Sequence, residues 1–454
     1  MANLVELQAV ILASSDGARL YPLTEDTPLP LLPVLNRPLL RYQLDLLAKA
    51  TFTQALIVLS EEGAAQTSRF LDEYDGPVQI RTATVDGSLD TADVLRQIRD
   101  KISGDFVVIP ADIVCEEVLR EMARMHRLRG ADVTMLLTEE APNMDPKGKK
   151  VARPKRDSED VDCIGITPTG RVVIKLPALD FDAFVLVQKA LLRRSASVVL
   201  STRMQDVNVY IFSYGVLGFL EKHRHITNLQ SELVPALVNR QFRVEADERL
   251  LPSRRASSTS GGQSAPGDAL AGPDARLLAA RSGGGAAAEC ELCLDGDALR
   301  CYALVLRHNP GAGPGRFCAQ ARTLAAYMNM NRDLMCATPA GEDCPWGPFE
   351  GLKRKDQVVQ GADCRVAEKV VCKLSVLGKG CTVGARCKIN SCVIMEGATV
   401  GENCTIQNSI VGANATIEDG CNLNDCQVAA LTTVPAGTKA KQETFTRTTG
   451  GGRW

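Results

Sequence analysis

The sequence lacks a hydrophobic run long enough to cross a membrane. A membrane-spanning helix needs roughly 20 consecutive apolar residues, and no uninterrupted apolar stretch of the 454 residues approaches that length. The first apolar run, from Ala9 to Ala13, is short and follows no basic leader, so it indicates a strand rather than a signal peptide. We therefore expect neither a membrane partner nor export.

The sequence also lacks a strong net charge. It has 52 Lys and Arg residues against 54 Asp and Glu residues, a formal net charge of −2, so nothing demands a nucleic acid or an anionic membrane as a partner. A single basic run stands out, at Lys147, Lys149, Lys150, Arg153, Lys155 and Arg156. Because no aromatic residues are interleaved with it, we favour a solvated loop over a contact with RNA or an acidic protein.

Cysteine is not scarce, with 16 residues, but without an export signal these predict free thiols rather than disulfides. Cys290 and Cys293 form a C-x-x-C pair, with Cys301 and Cys318 downstream. A zinc site is the alternative there. A second tight pair of Cys or His at ligand spacing is missing, so we predict no metal.

The first 140 residues alternate between strand and helix patterns. Continuous apolar runs, typical of strands buried on both faces, are Ala9–Ala13, Ala55–Ser60, Phe106–Pro110 and Val133–Thr138. Between them, Pro38 can open one amphipathic helix, Thr91 can cap a second, and residues 118–128 form a third. This alternation predicts a mostly parallel, Rossmann-like α/β sheet. At 454 residues, two or three domains are expected.

After this region the pattern changes. Cys163–Ile166 and Val172–Leu176 predict a hairpin around a Pro-Thr-Gly turn, and Asn208–Ser213 predicts a further strand. Residues 247–288 are rich in Ala, Gly, Ser and Arg, which is typical of a disordered linker. We therefore predict a first domain at 1–246, that linker, a connecting segment at 289–356 with a strand at 300–306 and a helix at 324–334, a repeat domain at 357–440 and a flexible tail at 441–454.

The C-terminal region carries the clearest periodic signal. Leu377, Val383 and Ile389 are six residues apart, and the same triplet returns every 17 residues at Ile394, Val400 and Ile406 and again at Val411, Ile417 and Leu423. Three short strands per coil build a triangular prism in which aliphatic residues of successive coils stack. This sequence form resembles the hexapeptide repeat family, which folds as a left-handed parallel β-helix. Small residues, including Cys387, Cys404 and Cys421, fit the corners as stacked hydrophobes, with a metal column as the alternative.

The first strand and the turn after it resemble nucleotidyltransferases that make nucleoside-diphosphate sugars. The segment runs Ala13-Ser-Ser-Asp-Gly17-Ala-Arg19-Leu-Tyr-Pro-Leu-Thr24, followed by Leu29-Pro-Leu-Leu-Pro33. The resemblance implies a loop whose backbone cradles phosphates, an arginine that holds them, a lysine that neutralises charge and carboxylates for Mg²⁺. It assigns Ala13, Gly17 and Arg19 to the nucleotide loop and Asp112 to the first metal carboxylate.

Key parts of that chemistry are missing. Gly17 is the only loop glycine left, Asp16 adds a negative charge beside the expected phosphates, and Leu29 replaces the motif lysine. The sequence Asp206-Val-Asn208-Val-Tyr210 replaces the family's Asn-Ala-Gly-Ile-Tyr. We therefore predict no catalytic residues and no cofactor. Ala13, Gly17, Arg19 and Asp112 then form a vestigial nucleotide-binding site, in which Arg19 serves structure.

The four histidines, His126, His223, His225 and His308, all lie outside the repeat. Acyl transfer on a β-helix usually needs a histidine base in the prism, so we do not expect that activity.

The combination of a degenerate nucleotidyltransferase domain and a hexapeptide β-helix resembles the gamma and epsilon subunits of eukaryotic translation initiation factor 2B. Stretches similar to gamma subunits include Thr91-Ala-Asp93, Lys147-Gly-Lys-Lys150, Ser231-Glu-Leu-Val-Pro235 and Arg300-Cys-Tyr302. The chain also ends soon after the repeat, where epsilon subunits continue into a catalytic helical domain. The resemblance implies a cytosolic, non-catalytic subunit that pairs with epsilon, joins the alpha, beta and delta subunits and helps dock initiation factor 2 for GDP release. An active enzyme that makes GDP-mannose, or a non-catalytic regulator of one, is the alternative.

Overall fold

A computed structural model describes residues 7–15, 17–139, 161–177, 197–241, 299–307, 316–337, 352–353 and 357–447. Several of the predicted features lie outside these residues: Asp16, the basic run at 147–156, the linker at 247–288, the Cys290–Cys293 pair and the last residues of the tail. The predictions for them stay predictions.

The described α-helices are α1 (Leu39–Lys49), α2 (Ala64–Asp72), α3 (Thr91–Gln97), α4 (Leu119–Arg129), α5 (Gly215–Lys222), α6 (Val234–Arg240) and α7 (Leu324–Ala337). The strands before the repeat are β1 (Gln8–Ala13), β2 (Pro33–Val34), β3 (Arg37–Pro38), β4 (Gln54–Ser60), β5 (Gln79–Val85), β6 (Phe106–Pro110), β7 (Ile113–Cys115), β8 (Val133–Glu139), β9 (Asp162–Ile166), β10 (Val172–Pro177), β11 (Val199–Ser201), β12 (Met204–Phe212), β13 (Cys301–Leu306) and β14 (Cys318–Gln320). Short 3₁₀ turns at 18–20, 29–31 and 99–101 and a π-helical turn at 229–233 complete this part.

The first domain is built on a seven-stranded sheet in the order β13-β8-β12-β6-β1-β4-β5. Strands β4, β1 and β6 are parallel neighbours, as their continuous apolar sequences predict. Two separate clusters of buried side chains cover the two faces of this sheet, because alternate residues of each strand point to opposite sides. The α/β class predicted from the sequence is confirmed.

Two strands at the middle and edge of this sheet differ from the predicted arrangement. Strand β12 runs antiparallel to both of its neighbours, β6 and β8, so the sheet is mixed. Strand β13, which the sequence analysis put in a connecting segment at 289–356, pairs in parallel with β8 along its whole length. Part of that segment therefore belongs to the first domain. Its residues Cys301 and Ala303 are buried in the core on one face of the sheet.

The C-terminal domain is a triangular prism, and each of its three faces is a sheet of stacked parallel strands. Its strands are β15 (Leu352–Lys353), β16 (Val358–Gln360), β17 (Arg365–Val366), β18 (Val371–Lys373), β19 (Ser375–Leu377), β20 (Thr382–Val383), β21 (Lys388–Asn390), β22 (Val393–Ile394), β23 (Thr399–Val400), β24 (Thr405–Gln407), β25 (Ile410–Val411), β26 (Thr416–Ile417), β27 (Asn422–Asn424), β28 (Gln427–Val428), β29 (Thr433–Val434), β30 (Lys439–Lys441) and β31 (Thr444–Phe445). One face has seven strands, beginning with an antiparallel pair of β15 and β16, and the other two have five each.

The register of the prism follows the 17-residue repeat. Val383 pairs with Val400, and Val400 pairs with Ile417, as the repeat predicts. Strand β31 continues the stack beyond residue 440, the predicted end of the domain. The left-handed β-helix predicted from the sequence is confirmed.

Glycine and cysteine at the prism corners meet a tight steric limit. A Cβ atom on Gly384 would lie 2.6 Å from the backbone of Gly401 in the next coil, so close approach rather than a positive φ requires glycine there. The stacked thiol of Cys387 donates a hydrogen bond to the Gly401 carbonyl at 3.0 Å. Burial raises the pKa of Cys404 to about 11. Among the described residues, no group of three or more His, Cys, Asp and Glu side chains could hold a metal.

The two domains share one cluster of buried residues, which we call the domain joint. It draws on the loop before α1, on α7 and on outward-facing residues of the seven-stranded prism face: Leu20, Leu23, Leu29, Leu32, Val34, Leu35, Leu39, Tyr42, Val114, Ala321, Tyr327, Met330, Leu334, Met335, Val359, Val376, Val393, Met395 and Ile410. Polar contacts reinforce the joint. The Asn36 amide donates to the Leu377 carbonyl at 2.9 Å, and the Leu35 N–H donates to Asn331 at 3.0 Å.

Candidate functional site

The loop after β1 folds back on the residues that follow it. Gly17 has a φ of 67°, in the left-handed region, and a Cβ there would lie 2.9 Å from Thr24 Cγ2 and 3.4 Å from Leu29 Cβ. The Thr24 hydroxyl donates to the Gly17 carbonyl at 3.1 Å. Ala13 is buried at the end of β1, and Arg19 is exposed in the 3₁₀ turn that follows. The turn after β1 is therefore closed by the Thr24 hydrogen bond and packs against the side chain of Leu29.

Leu29 occupies the position that the resemblance gives to a lysine. It begins the 3₁₀ turn at 29–31 and is only 5% exposed, as a member of the domain joint. An aliphatic side chain there supplies packing and cannot supply positive charge to a phosphate. Leu29 therefore has the contacts of a core residue.

Asp112 lies just beyond the carboxyl end of β6, where the resemblance places a metal ligand. Gln320 of β14 donates to both carboxylate oxygens, at 2.9 and 3.1 Å, and Arg322 Nε in turn donates to Gln320 Oε1 at 2.7 Å. Burial raises the pKa of Asp112, while the hydrogen bond from Gln320 and the nearby Arg322 charge act in the opposite direction. Both oxygens of the carboxylate are thus already engaged by protein.

A buried group of ionisable side chains is centred on Lys175. Lys175 Nζ is 3.1 Å from an oxygen of Asp206 and 3.4 Å from one of Asp162, and it donates to the Gln230 carbonyl at 2.8 Å. The Lys175 side chain is 1% exposed and that of Asp206 is not exposed at all. Tyr210 donates its hydroxyl to Asp206 at 2.7 Å, and burial, followed by the Asp206 charge, raises the Tyr210 pKa well above its ordinary value.

Several members of this arrangement were not predicted from the sequence. Gln320 and Arg322 come from a segment far along the chain, and no local pattern marks them. Lys175 carried a usable signal, because it is a lone charge in the apolar strand β10. Such a lysine needs buried carboxylate partners. Asp206 and Asn208 were noted only for departing from a motif. In the structure, Asn208 has a φ of 59° and its N–H donates to Asp206 at 3.0 Å.

Asp112, Asn208 and Gln320 lie at the edge of a small cavity of about 160 Å³. Its described lining is Leu12, Ser14, Ser15, Leu29, Thr91, Val108, Pro110, Ala111, Asp112, Asn208, Tyr210, Asn228, Leu229, Gln230 and Gln320. Of the predicted site residues, Asp112 lines the cavity, whereas Ala13, Gly17 and Arg19 are not in this set. Because the lining contains no lysine or arginine, it offers a phosphate no cationic side chain.

The Mg²⁺ ion implied by the resemblance does not fit the residues present. Gln320 holds both oxygens of Asp112, and the Asp206 carboxylate is engaged by Lys175 and Tyr210. Mg²⁺ prefers free carboxylates together with substrate phosphates. We derive no reaction step through a metal at this site.

No helix in the described residues is long and apolar enough to cross a membrane.

The fold and the site define a class of protein that joins a nucleotidyltransferase-like α/β domain to a left-handed β-helix. Comparison with known families agrees with both halves. The family "Nucleotidyl transferase" matches residues 8–148, and the family "EIF2B subunit epsilon LbH domain" matches residues 351–439.

Curated relatives narrow the class. Translation initiation factor eIF2B subunit gamma of Dictyostelium discoideum is 26% identical over 82% of this chain and 88% of its own length. The gamma subunit of Schizosaccharomyces pombe is 25% identical over 81% of this chain and 73% of its own. Mannose-1-phosphate guanyltransferase of the same yeast is 26% identical, but over 51% of this chain and 56% of its own. The chain is similar to eIF2B gamma subunits over about four fifths of its length, as the sequence predicted.

Proposed function

We propose that the chain is a non-catalytic subunit of the translation initiation factor 2B guanine-nucleotide exchange complex. The observation that carries this proposal is the extent of the similarity to gamma subunits, which spans about four fifths of the chain and both of its domains. The relative named as a guanyltransferase is similar over about half of it. A chain that shares both domains with gamma subunits is expected to share their role in assembly.

The geometry of the cavity supports a role without chemistry of its own. The buried Leu29 stands at the position of the motif lysine. Asp112 stands at the position of the metal-binding carboxylate, and Gln320 donates hydrogen bonds to both of its oxygens. Phosphoryl-group chemistry depends on preorganised positive charge, and the described lining of the cavity has no cationic side chain. The domain therefore works as a degenerate nucleotidyltransferase whose fold has been retained as a scaffold.

In this proposal the chain pairs with an epsilon subunit and attaches to the alpha, beta and delta subunits in the cytoplasm. It helps dock initiation factor 2 so that the complex can exchange GDP for GTP. No membrane and no direct contact with nucleic acid are involved. The domain joint supports this role, because a shared cluster of buried residues packs the two domains against each other.

The test is reconstitution with subunits of the same organism. The tagged chain is co-expressed with the epsilon, alpha, beta and delta subunits, and the purified complex is assayed for GDP release from initiation factor 2. We expect recovery of the epsilon subunit with the tag, and faster GDP release by the full complex than by the complex assembled without this chain. Failure to bind epsilon, with the chain folded by circular dichroism, would contradict the proposal.

A second function is favoured by one observation, the match of residues 8–148 to nucleotidyl transferases with Asp112 still at its strand end. The chain would then make a sugar nucleotide such as GDP-mannose, or regulate an enzyme that does. Purified chain is incubated with Mg²⁺, nucleoside triphosphates and sugar 1-phosphates, and pyrophosphate is followed. Turnover on the order of 1 s⁻¹, ordinary for an enzyme, would favour this function, and capture of a pyrophosphorylase by the tagged chain would favour regulation.

A further inference from the structure

Two cysteines face each other across a strand pair beside the cavity. Cys115 at the end of β7 lies opposite Cys318 at the start of β14 in the antiparallel register. At the next position, the Glu116 N–H donates to the Phe317 carbonyl at 2.9 Å, which makes that a hydrogen-bonded pair. Because the two kinds of pair alternate along an antiparallel ladder, Cys115 and Cys318 form a non-hydrogen-bonded pair, in which side chains approach most closely.

The spacing of such a pair suits a covalent bond. Cα atoms in a non-hydrogen-bonded pair are about 4.5 Å apart, and disulfides span Cα distances of about 4.4–6.8 Å. Both thiols pack against the same buried cluster beneath the main sheet. The neighbouring Cys318 side chain, together with burial, raises the pKa of the Cys115 thiol well above its ordinary value.

The two thiols differ in access. Cys115 is 3% exposed, whereas Cys318 is only partly buried. A reagent in solution therefore reaches Cys318 first, and Cys115 lies behind it as the group that can complete a disulfide. An accessible thiol beside a resolving cysteine is the arrangement found in reversible redox sites.

We propose that Cys115 and Cys318 are an oxidisable dithiol, and that a small disulfide such as oxidised glutathione converts them to an intramolecular disulfide. The thiolate of Cys318 attacks one sulfur of the oxidant, forming a mixed disulfide and releasing one thiol. The Cys115 sulfur, its proton passing to solvent, attacks the Cys318 sulfur and releases the second thiol. The protein loses two hydrogens, and one small disulfide becomes two small thiols.

Oxidation would constrain β14, the strand whose residue Gln320 is hydrogen-bonded to Asp112. Gln320 is the last residue of β14, two positions beyond Cys318, and donates to both oxygens of Asp112. Strand β14 pairs only with β7 in the described structure and leads into α7 of the domain joint. A cross-link therefore fixes Gln320 at the cavity and fastens the segment that joins the domains. In a reducing compartment the pair stays as thiols until oxidant accumulates.

Other neighbouring cysteines are less suited to this reaction. Cys387, Cys404 and Cys421 stack in successive coils of the prism, but each has at most 1% of its surface exposed. Each thiol donates to a carbonyl of the following coil, at 3.0, 3.2 and 3.2 Å. The column offers no exposed member for a first attack, so selective oxidation of Cys115 and Cys318 is expected.

The experiment uses the full chain, reduced and without denaturant. It is exposed to increasing ratios of oxidised to reduced glutathione, remaining thiols are alkylated, and proteolytic peptides are mapped by mass spectrometry. We expect a peptide linking Cys115 to Cys318 as the dominant cross-link, reversed by dithiothreitol. It should be unchanged in Cys163→Ser, a matched buried cysteine of β9, and lost in Cys318→Ser. Absence of this cross-link, or a dominant cross-link within the 387–404–421 column, would overturn the proposal.

Hydrogen exchange on the wild-type chain supplies a second test that needs no variant to fold. Amides of β7 and β14 should exchange several times more slowly in the oxidised chain than in the reduced chain, because the cross-link opposes local opening. Amides of β9 should not change. Equal exchange of β7 and β14 in the two forms would show that the disulfide does not fasten this strand pair.

Discussion

Asp112 is a buried carboxyl group whose pKa is raised by its surroundings. Burial raises its pKa above the ordinary value of 3.8, and the hydrogen bond from Gln320 and the charge of Arg322 only oppose that effect. Because the folded-state pKa exceeds the unfolded-state value, this group contributes stability that is fully present below pH 3.8. That contribution is lost as pH rises through the folded-state pKa.

Replacing Asp112 with Asn should therefore raise the free energy of unfolding at pH 7, since the amide cannot ionise. The gain should shrink as the pH falls toward 4, and urea unfolding at several pH values measures it. Asp86→Asn is the control of opposite sign. Asp86 accepts a hydrogen bond from the Ser88 N–H at 2.9 Å, which lowers its pKa, so this variant should lose stability at pH 7. Equal or lower stability of Asp112→Asn at pH 7 would contradict the interpretation.

Gly17 is a glycine whose backbone and surroundings both resist a side chain. Its φ of 67° and the 2.9 Å approach of a Cβ to Thr24 predict that Gly17→Ala costs about 1–2 kcal/mol. The matched control is Gly218→Ala in α5, where a Cβ meets nothing within 4 Å. That change should raise stability by about 0.5–1 kcal/mol. Denaturant midpoints measure both, and an equal effect of the two substitutions would count against this account of the loop.

At the scale of single residues, the sequence identifies the motif positions that carry other residues, but it does not predict the contacts that those residues make. Leu29 could be recognised as unable to supply charge, because the motif around it fixes its place. Its role in the domain joint could not be predicted, since the partners in α7 and the prism are distant in sequence. Gln320 was missed for the same reason, as its contact with Asp112 depends on the pairing of β14 with β7.

At the scale of elements, the prism is the most predictable part. Each of its strands repeats the last at 17 residues, so a local pattern also fixes the tertiary register. The first sheet is less predictable because β13 and β12 are inserted next to β8 from distant parts of the chain. Thr91 illustrates a smaller difference. Asp90 is the residue that caps α3, while the Thr91 hydroxyl accepts a hydrogen bond from the Leu229 N–H at 3.0 Å.

Alternation along one prism strand provides a sharp test of the β-helix. Val400 points inward and is 1% exposed, whereas its neighbour Thr399 points outward and is exposed. Val400→Asp buries an unpaired carboxylate between Val383 and Ile417, at a cost on the order of 3–5 kcal/mol. Thr399→Asp places the same group in water and should change stability by less than about 0.5 kcal/mol. Urea unfolding followed by circular dichroism checks both, and similar losses in the two variants would refute the assigned alternation.

At the scale of the whole molecule, one column of residues records where the two domains meet. Val359, Val376, Val393 and Ile410 occupy successive coils of the seven-stranded prism face and belong to the domain joint. The next two positions of that column, in strands β28 and β31, are polar: Gln427 and Thr444. A face that is apolar for four coils and then polar indicates that the first domain covers only its beginning. The sequence contained this change of character, but only the structure shows what covers the apolar part.

The last prediction follows from that column. Val393 is 4% exposed and points away from the prism interior, so Val393→Asp should leave the prism folded and weaken the domain joint by several kcal/mol. Gln427→Asp makes the matching change two coils later, outside the joint, and should be nearly neutral. By calorimetry we expect one cooperative transition for the wild-type chain and for Gln427→Asp, because the joint couples the two cores. Val393→Asp should show two separate transitions, since each core then unfolds on its own. If the exchange complex needs the domains in fixed relation, this variant should also lower GDP release by the reconstituted complex while Gln427→Asp does not. A single transition of unchanged midpoint in Val393→Asp would mean that the joint does not couple the domains.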